Sequence, residues 1–132
     1  MKWVTDIQAK LQSKVDSIHV GNPMDYIKVD DLINDVSEQL IYKIDAIEEV
    51  VTGVSVKIKL TDYFKDQSGE LYTTMLNTFS QVPEALEAIL LADGHGKVEV
   101  TERLFTFNTH KRKITNFDLQ FTVRATKPYE SN

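Results

Sequence analysis

The stretch ITNFDLQFTVRA at residues 114–125 sets Phe117, Leu119, Phe121, Val123 and Ala125 against Asn116, Asp118, Gln120, Thr122 and Arg124. Apolar residues at every second position line up on one side of an extended chain and on no single side of a helix. The segment is therefore a half-buried β-strand. It needs neighbours for its backbone groups and a packed layer on one face only, which points to an antiparallel sheet with a solvated outer side.

The rest of the chain has to supply that layer. A chain of 132 residues has the length of one domain, and at that size folding buries roughly two-thirds of the surface the unfolded chain exposes. With 42% hydrophobic and 27% charged residues, the composition is that of an ordinary globular chain rather than a disordered or fibrous one. We expect a single domain over residues 1–132, with a loose tail at about 128–132 after Lys127-Pro128 ends any strand. No segment approaches the ~20 apolar residues of a membrane span, and Met1-Lys2-Trp3 opens into an amphipathic pattern instead of a signal peptide, so a soluble, unprocessed protein with no membrane partner is expected. The absence of cysteine excludes disulfides and thiolate chemistry and fits synthesis in a reducing cytoplasm. A net charge of -5 opposes a general nucleic-acid binder, whose affinity comes from clustered Lys and Arg.

Hydrophobic spacing predicts the elements in turn. Trp3, Val4, Ile7, Leu11, Val15 and Ile18 recur at helical spacing over residues 3–18, ended by Gly21-Asn22-Pro23, with short extended or irregular pieces at 18–20 and 26–29. Ile33, Val36, Leu40, Ile44, Ile47 and Val51 predict a long second helix over 30–51, capped by Asp30 or Asp31, or by a box of Asp35 and Glu38, with Gly53 at its left-handed end. The period then becomes two. Val54, Val56, Ile58 and Leu60 form a strand, the turn chemistry Asp66-Gln67-Ser68-Gly69 follows, and Thr73, Thr74 and Thr78 favour a second arm over 71–79. Leu71, Tyr72, Met75, Leu76 and Phe79 would share a face if that arm were instead a helix. Pro83 opens a short helix running to Gly94, with Glu84 and Glu87 toward its amino end and Leu86, Ile89 and Leu90 as its stripe. A last hairpin pairs 98–107 with the opening stretch, and the parity change from Val98 and Val100 to Phe105 and Phe107 predicts a β-bulge. The expected class is α+β, an antiparallel sheet built from two β-hairpins with amphipathic helices packed on one face.

Chemistry-bearing motifs are few. His19, His95 and His110 are far apart and fit no ligand spacing, and Asp93-Gly94-His95-Gly96 reads as a helix cap rather than a phosphate loop. The adjacent pairs Asp30-Asp31 and Glu48-Glu49 point to different sides of a helix and do not converge. No nucleophile elbow, phosphate loop or dinucleotide fingerprint occurs, so the expectation is a protein that is not an enzyme and uses no metal or cofactor. Two clusters remain as candidate surfaces. His110, Lys111, Arg112 and Lys113 form a basic hairpin tip, a solvated turn or a contact to nucleic acid or an acidic partner; Lys57 and Lys59 extend it only if the two hairpins lie side by side. Tyr63 and Phe64 sit in the connection 62–66, where they either close the core or, with Tyr72, anchor an interface.

The amphipathic helix at 3–18, the segment VSVKIKLTDYFKDQSGELYTTMLNTF, the helix PEALEAILLAD and the closing pair KVEVTERLFTFN and KRKITNFDLQFTVRAT together resemble the tail-terminator or tail-completion proteins of long-tailed bacteriophages. The helical run at 30–51 departs from that pattern, which has a short strand and loop there. The resemblance implies a virion structural protein, made in the host cytoplasm, that forms a homo-oligomeric ring of about six subunits, caps the tail tube and supports head-tail joining. Its partners are then tail-tube and head-connector proteins, with Tyr63, Phe64 and Tyr72 at subunit or tube contacts and residues 110–113 facing the lumen in transient contact with DNA. The alternative is a small nucleic-acid or ligand binding module that uses the C-terminal hairpin.

Overall fold

The computed structural model describes residues 2–16 and 21–127, the side chains of residues 15 and 16 excepted. His19, the extended piece expected at 18–20 and the tail at 128–132 lie outside the described residues. The opening stretch is the strand β3, Lys113–Arg124, and it is the centre of the sheet. On one side it pairs antiparallel with β2, Glu99–Asn108, through the expected hairpin. On the other it pairs antiparallel with β1, Gly53–Lys59, in the register Val56 opposite Phe121 and Ile58 opposite Leu119. Only one of the two expected hairpins therefore exists. β1 has β3 as its ladder partner because its apolar face meets Phe121 and Leu119 over the same core.

The segment expected as a second strand at 71–79 is a helix, α3, Gly69–Thr78. Ser68 caps it by accepting the Leu71 N–H, and Leu71, Thr74, Met75 and Thr78 are buried at steps of three and four. Threonine's strand preference is worth a few tenths of a kcal/mol per residue, less than seating Leu71 and Met75 in the core. Thr78 Oγ1 donates to the Thr74 carbonyl one turn back, so the hydroxyl enters the core without losing a partner.

Two further helices cover the same face of the sheet: α2, Val29–Ala46, and α4, Val82–Ala92. α2 is shorter than expected. It starts at Val29 with no side-chain cap, Asp30 and Asp31 lie in its first turn, and Ile47 is already extended. Its buried stripe is Leu32, Val36 and Leu40, a four-residue step that drifts round a 3.6-residue helix, so Ile44 emerges 43% exposed. Gly53 opens β1 instead of capping a helix. α4 has Pro83 in its first turn and ends as expected on Gly94, whose φ is 81°. Gly94 N–H bonds the Leu91 carbonyl and His95 N–H bonds that of Leu90, the paired bonds of a Schellman ending.

One core results, built from α2, α3, α4 and the inner face of the sheet, with Leu32, Leu71, Met75, Leu86, Phe117 and Leu119 fully enclosed. The expected bulge is present: the β2–β3 register slips between Glu102 and Leu104 and again between Thr106 and Phe107. The slips turn Phe105 toward the core, where it stacks on Phe79 with ring centroids 4.2 Å apart and meets Phe117 edge-on at 5.0 Å.

The first helix is α1, Lys2–Asp16. Helices packed on the sheet were expected to include it, but Val4, Ile7 and Leu11 are 41%, 47% and 59% exposed and none joins the core or packs on it. Among the described residues, no helix is long and apolar enough to cross a membrane.

Candidate assembly surfaces

The expected aromatic anchors are committed within the chain. β1 runs into a 3-10 turn, Leu60–Tyr63, that brings the chain alongside residues 26–28, where Lys28 N–H bonds the Tyr63 carbonyl at 2.7 Å and Lys65 N–H bonds that of Tyr26 at 2.9 Å. This exchange pins Phe64 into the core opposite Ile27. Tyr63 is half-buried and its hydroxyl donates to Asp35 Oδ2 at 2.6 Å, joining the turn to α2. Asp35 therefore serves the tertiary structure rather than the expected capping box. Tyr72 is buried on α3, with the Phe107 ring edge-on at 6.2 Å. Of the two readings left open for residues 63 and 64, closing the core is the one the fold realises.

Burial, the hydrogen bond to Asp35 and the nearby charges of Asp35, Asp62 and Asp31 push the Tyr63 phenol from its ordinary 10.0 up to about 12. A group whose folded pKa lies above its unfolded one contributes stability at low pH and loses it as pH rises between the two values. The expected result is a tyrosinate absorbance titration with one late component near pH 12 and a stability that declines above pH 10. In Tyr63→Phe both features should be missing; their persistence would assign them to another tyrosine.

The basic tip divides. The turn after Asn108 is fixed by Lys111 N–H donating to Asn108 Oδ1, and Arg112 adopts a φ of 50°. That left-handed residue folds its guanidinium back over the Tyr72 ring at 5.2 Å, with a long contact to Thr73 Oγ1 at 3.5 Å. All four residues of the tip, His110, Lys111, Arg112 and Lys113, remain exposed, Arg112 with its guanidinium over the ring. Lys57 and Lys59 do not extend this patch. They lie opposite Gln120 and Asp118, and Asp118 is five residues along β3 from Lys113, ~17 Å at the rise of an extended strand.

His95 and His110 are not brought together, and among the described residues no group of three His, Cys, Asp or Glu side chains could hold a metal ion. Instead the structure opens an apolar groove of about 490 Å³ that spacing alone did not reveal. Its floor is Leu40, Val54, Leu90 and Val123, and its rim is formed by Ile41, Ile44 and Val51, with the His95 ring and Arg124 at its edge. Ile41 is 59% exposed and Val51 39%. Arg124 is held at the edge by an ion pair to Glu99 at 3.1 Å across the strands. The signal was present in the surplus of apolar residues over 41–51, more than one buried stripe can absorb.

Both outer edges of the sheet are met by side chains. On β2 the Val100 N–H donates to Glu87 Oε1 of α4 at 2.7 Å, and on β1 the Ser55 carbonyl accepts from Lys43 Nζ of α2 at 2.6 Å. Glu87, expected near the amino end of its helix dipole, thus also guards a strand.

The chain matches no protein-family model, no curated protein and no solved structure.

Proposed function

We propose that the chain is a structural assembly protein with no chemistry of its own, a tail terminator that builds a ring from its own copies, caps a phage tail tube and supports head-tail joining. The observation that carries the assembly reading is α1. Val4, Ile7 and Leu11 of this amphipathic helix are exposed and contribute nothing to the core. Such a face remains in water only at a cost that a partner removes. The phage assignment is supported by the resemblance described above, to which α1, α4 and the β2–β3 hairpin contribute as elements. Within the same resemblance, the segment 54–79 is strand, 3-10 turn and helix rather than a hairpin.

The test is native mass across a concentration series, with and without magnesium. A closed species of about six chains is expected. A monomer at every concentration would overturn self-assembly as the chain's role and return the exposed His110, Lys111, Arg112 and Lys113 to consideration as a nucleic-acid contact.

A further inference from the structure

We infer that the groove between α2, α4 and the β1–β3 end of the sheet binds a saturated aliphatic chain with a carboxylate head, a fatty acid. The inference is independent of self-assembly, because the site lies within one chain.

The lining selects the aliphatic chain. The groove holds about 490 Å³, within the range of small-molecule sites, and its α2 wall from Ile33 to Ile44 runs ~16 Å along the helix axis. That length suits an extended chain better than a compact ring system. Ile33, Leu40, Ile44, Val54, Leu90 and Val123 line it, and among the described residues no phenyl, phenol or indole ring does. Flat ligands gain most from rings packed on their faces, which this lining does not offer. A run of methylenes needs only aliphatic walls, and each one removed from water adds affinity. The same ligand would cover the exposed Ile41, Ile44 and Val51.

The head is set by charge. Among the described residues that line the groove there is no Asp or Glu, whereas Arg124 and His95 are present. Arg124 ends β3 opposite Gly53, the first residue of β1, and both line the groove. Gly53 has no Cβ, and Arg124 Nη1 lies 3.7 Å from the point where one would stand, so the side chain rests along that bare edge. The ion pair with Glu99 uses Nε alone, at 3.2 and 3.1 Å to the two carboxylate oxygens, and both partners are exposed. Exposed pairs of this kind hold weakly. The two Nη groups form no hydrogen bond among the described residues, and they keep the fork that a second carboxylate accepts from.

A carboxylate at Arg124 sends its chain past Val51 and Ile44 and back along α2 toward Ile33. An amine head would meet a guanidinium and no acceptor carboxylate. A neutral hydrocarbon would leave the fork unused.

The test is calorimetric titration of the full chain with octanoate, decanoate and dodecanoate, each below its micelle concentration. Saturable binding of one molecule per chain is expected, tightening by up to about fourfold per added methylene. Arg124→Gln should weaken decanoate about tenfold and leave decanol unchanged. Ile41→Asp, at an exposed position, should weaken both ligands. Urea midpoints of the two variants should match the wild type, which keeps folding out of the comparison.

No saturable binding of any of the three acids overturns the site, and so does binding that is indifferent to Ile41→Asp. Decanol bound as tightly as decanoate, or decanoate binding unchanged in Arg124→Gln, overturns the carboxylate head.

Discussion

Phe117→Ala should cost about 3–5 kcal/mol of folding stability, the largest loss expected from any single aromatic truncation in this chain. Phe117 has no exposed surface and sits on the central strand. Its ring receives Phe105 edge-on, and Phe105 is in turn stacked on Phe79, so the cavity left by alanine would loosen a three-ring column that ties the sheet to the turn between α3 and α4. Strands on both sides hold the β3 backbone, which leaves little room for collapse into the gap. A domain of this size has about 5–15 kcal/mol in total, so the variant should lose much of its urea resistance, read as a lower midpoint at unchanged slope. A loss under about 1 kcal/mol would mean that the column is not packed as described.

Met75→Ala should cost about 2–5 kcal/mol while Asn77→Ala should change stability by less than about 0.5 kcal/mol. The pair discriminates the two conformations open to the segment. In a strand, residues 75 and 77 share a face and both truncations would register. In α3, Met75 is fully buried and Asn77 is exposed, its amide donating to the Thr73 carbonyl one turn back. Equal losses in urea titrations of the two variants would restore the strand.

That segment also shows where the sequence was legible and where it was not. The alternation in 114–125 located the central strand, and the parity change in 98–107 located its bulge, because both are imposed residue by residue by the pleat. Gly94 marked the end of α4 for an equally local reason, its positive φ. Over 71–79 two local signals disagreed. β-propensity pointed one way and the Leu71–Met75 spacing the other, and the decision came from the core, which sequence does not display. The partner of β1 was illegible for a related reason: a strand pairs with whichever neighbour completes its buried face, here one some sixty residues distant in Val56 and Phe121.

The candidate surfaces were less legible than the fold. Tyr63, Phe64 and Tyr72 looked like anchors because aromatics in and around a loop are conspicuous, but a turn that crosses the end of a sheet also needs large side chains to seal it. Arg112 looked like one more free cation of the tip until a positive φ returned it to Tyr72. The groove is shaped by α2, α4, β1 and β3 together, so no one segment announces it. α1 was read correctly as an amphipathic helix, yet amphipathicity says only that a helix has a side to hide, not that its own chain hides it.

The side chains on the sheet's edges bear on how growth ends. An uncovered strand edge is a template that copies itself: each added strand presents a fresh edge, and nothing in the geometry tells such a stack to stop. Here Glu87 occupies the Val100 amide and Lys43 the Ser55 carbonyl, so a strand approaching either edge must first displace a charged group from its bond. Open-ended fibre formation is thereby slowed at its first step. The same two helices that bury the sheet's inner face thus also withhold its edges, so that one packing layer serves both stability and solubility.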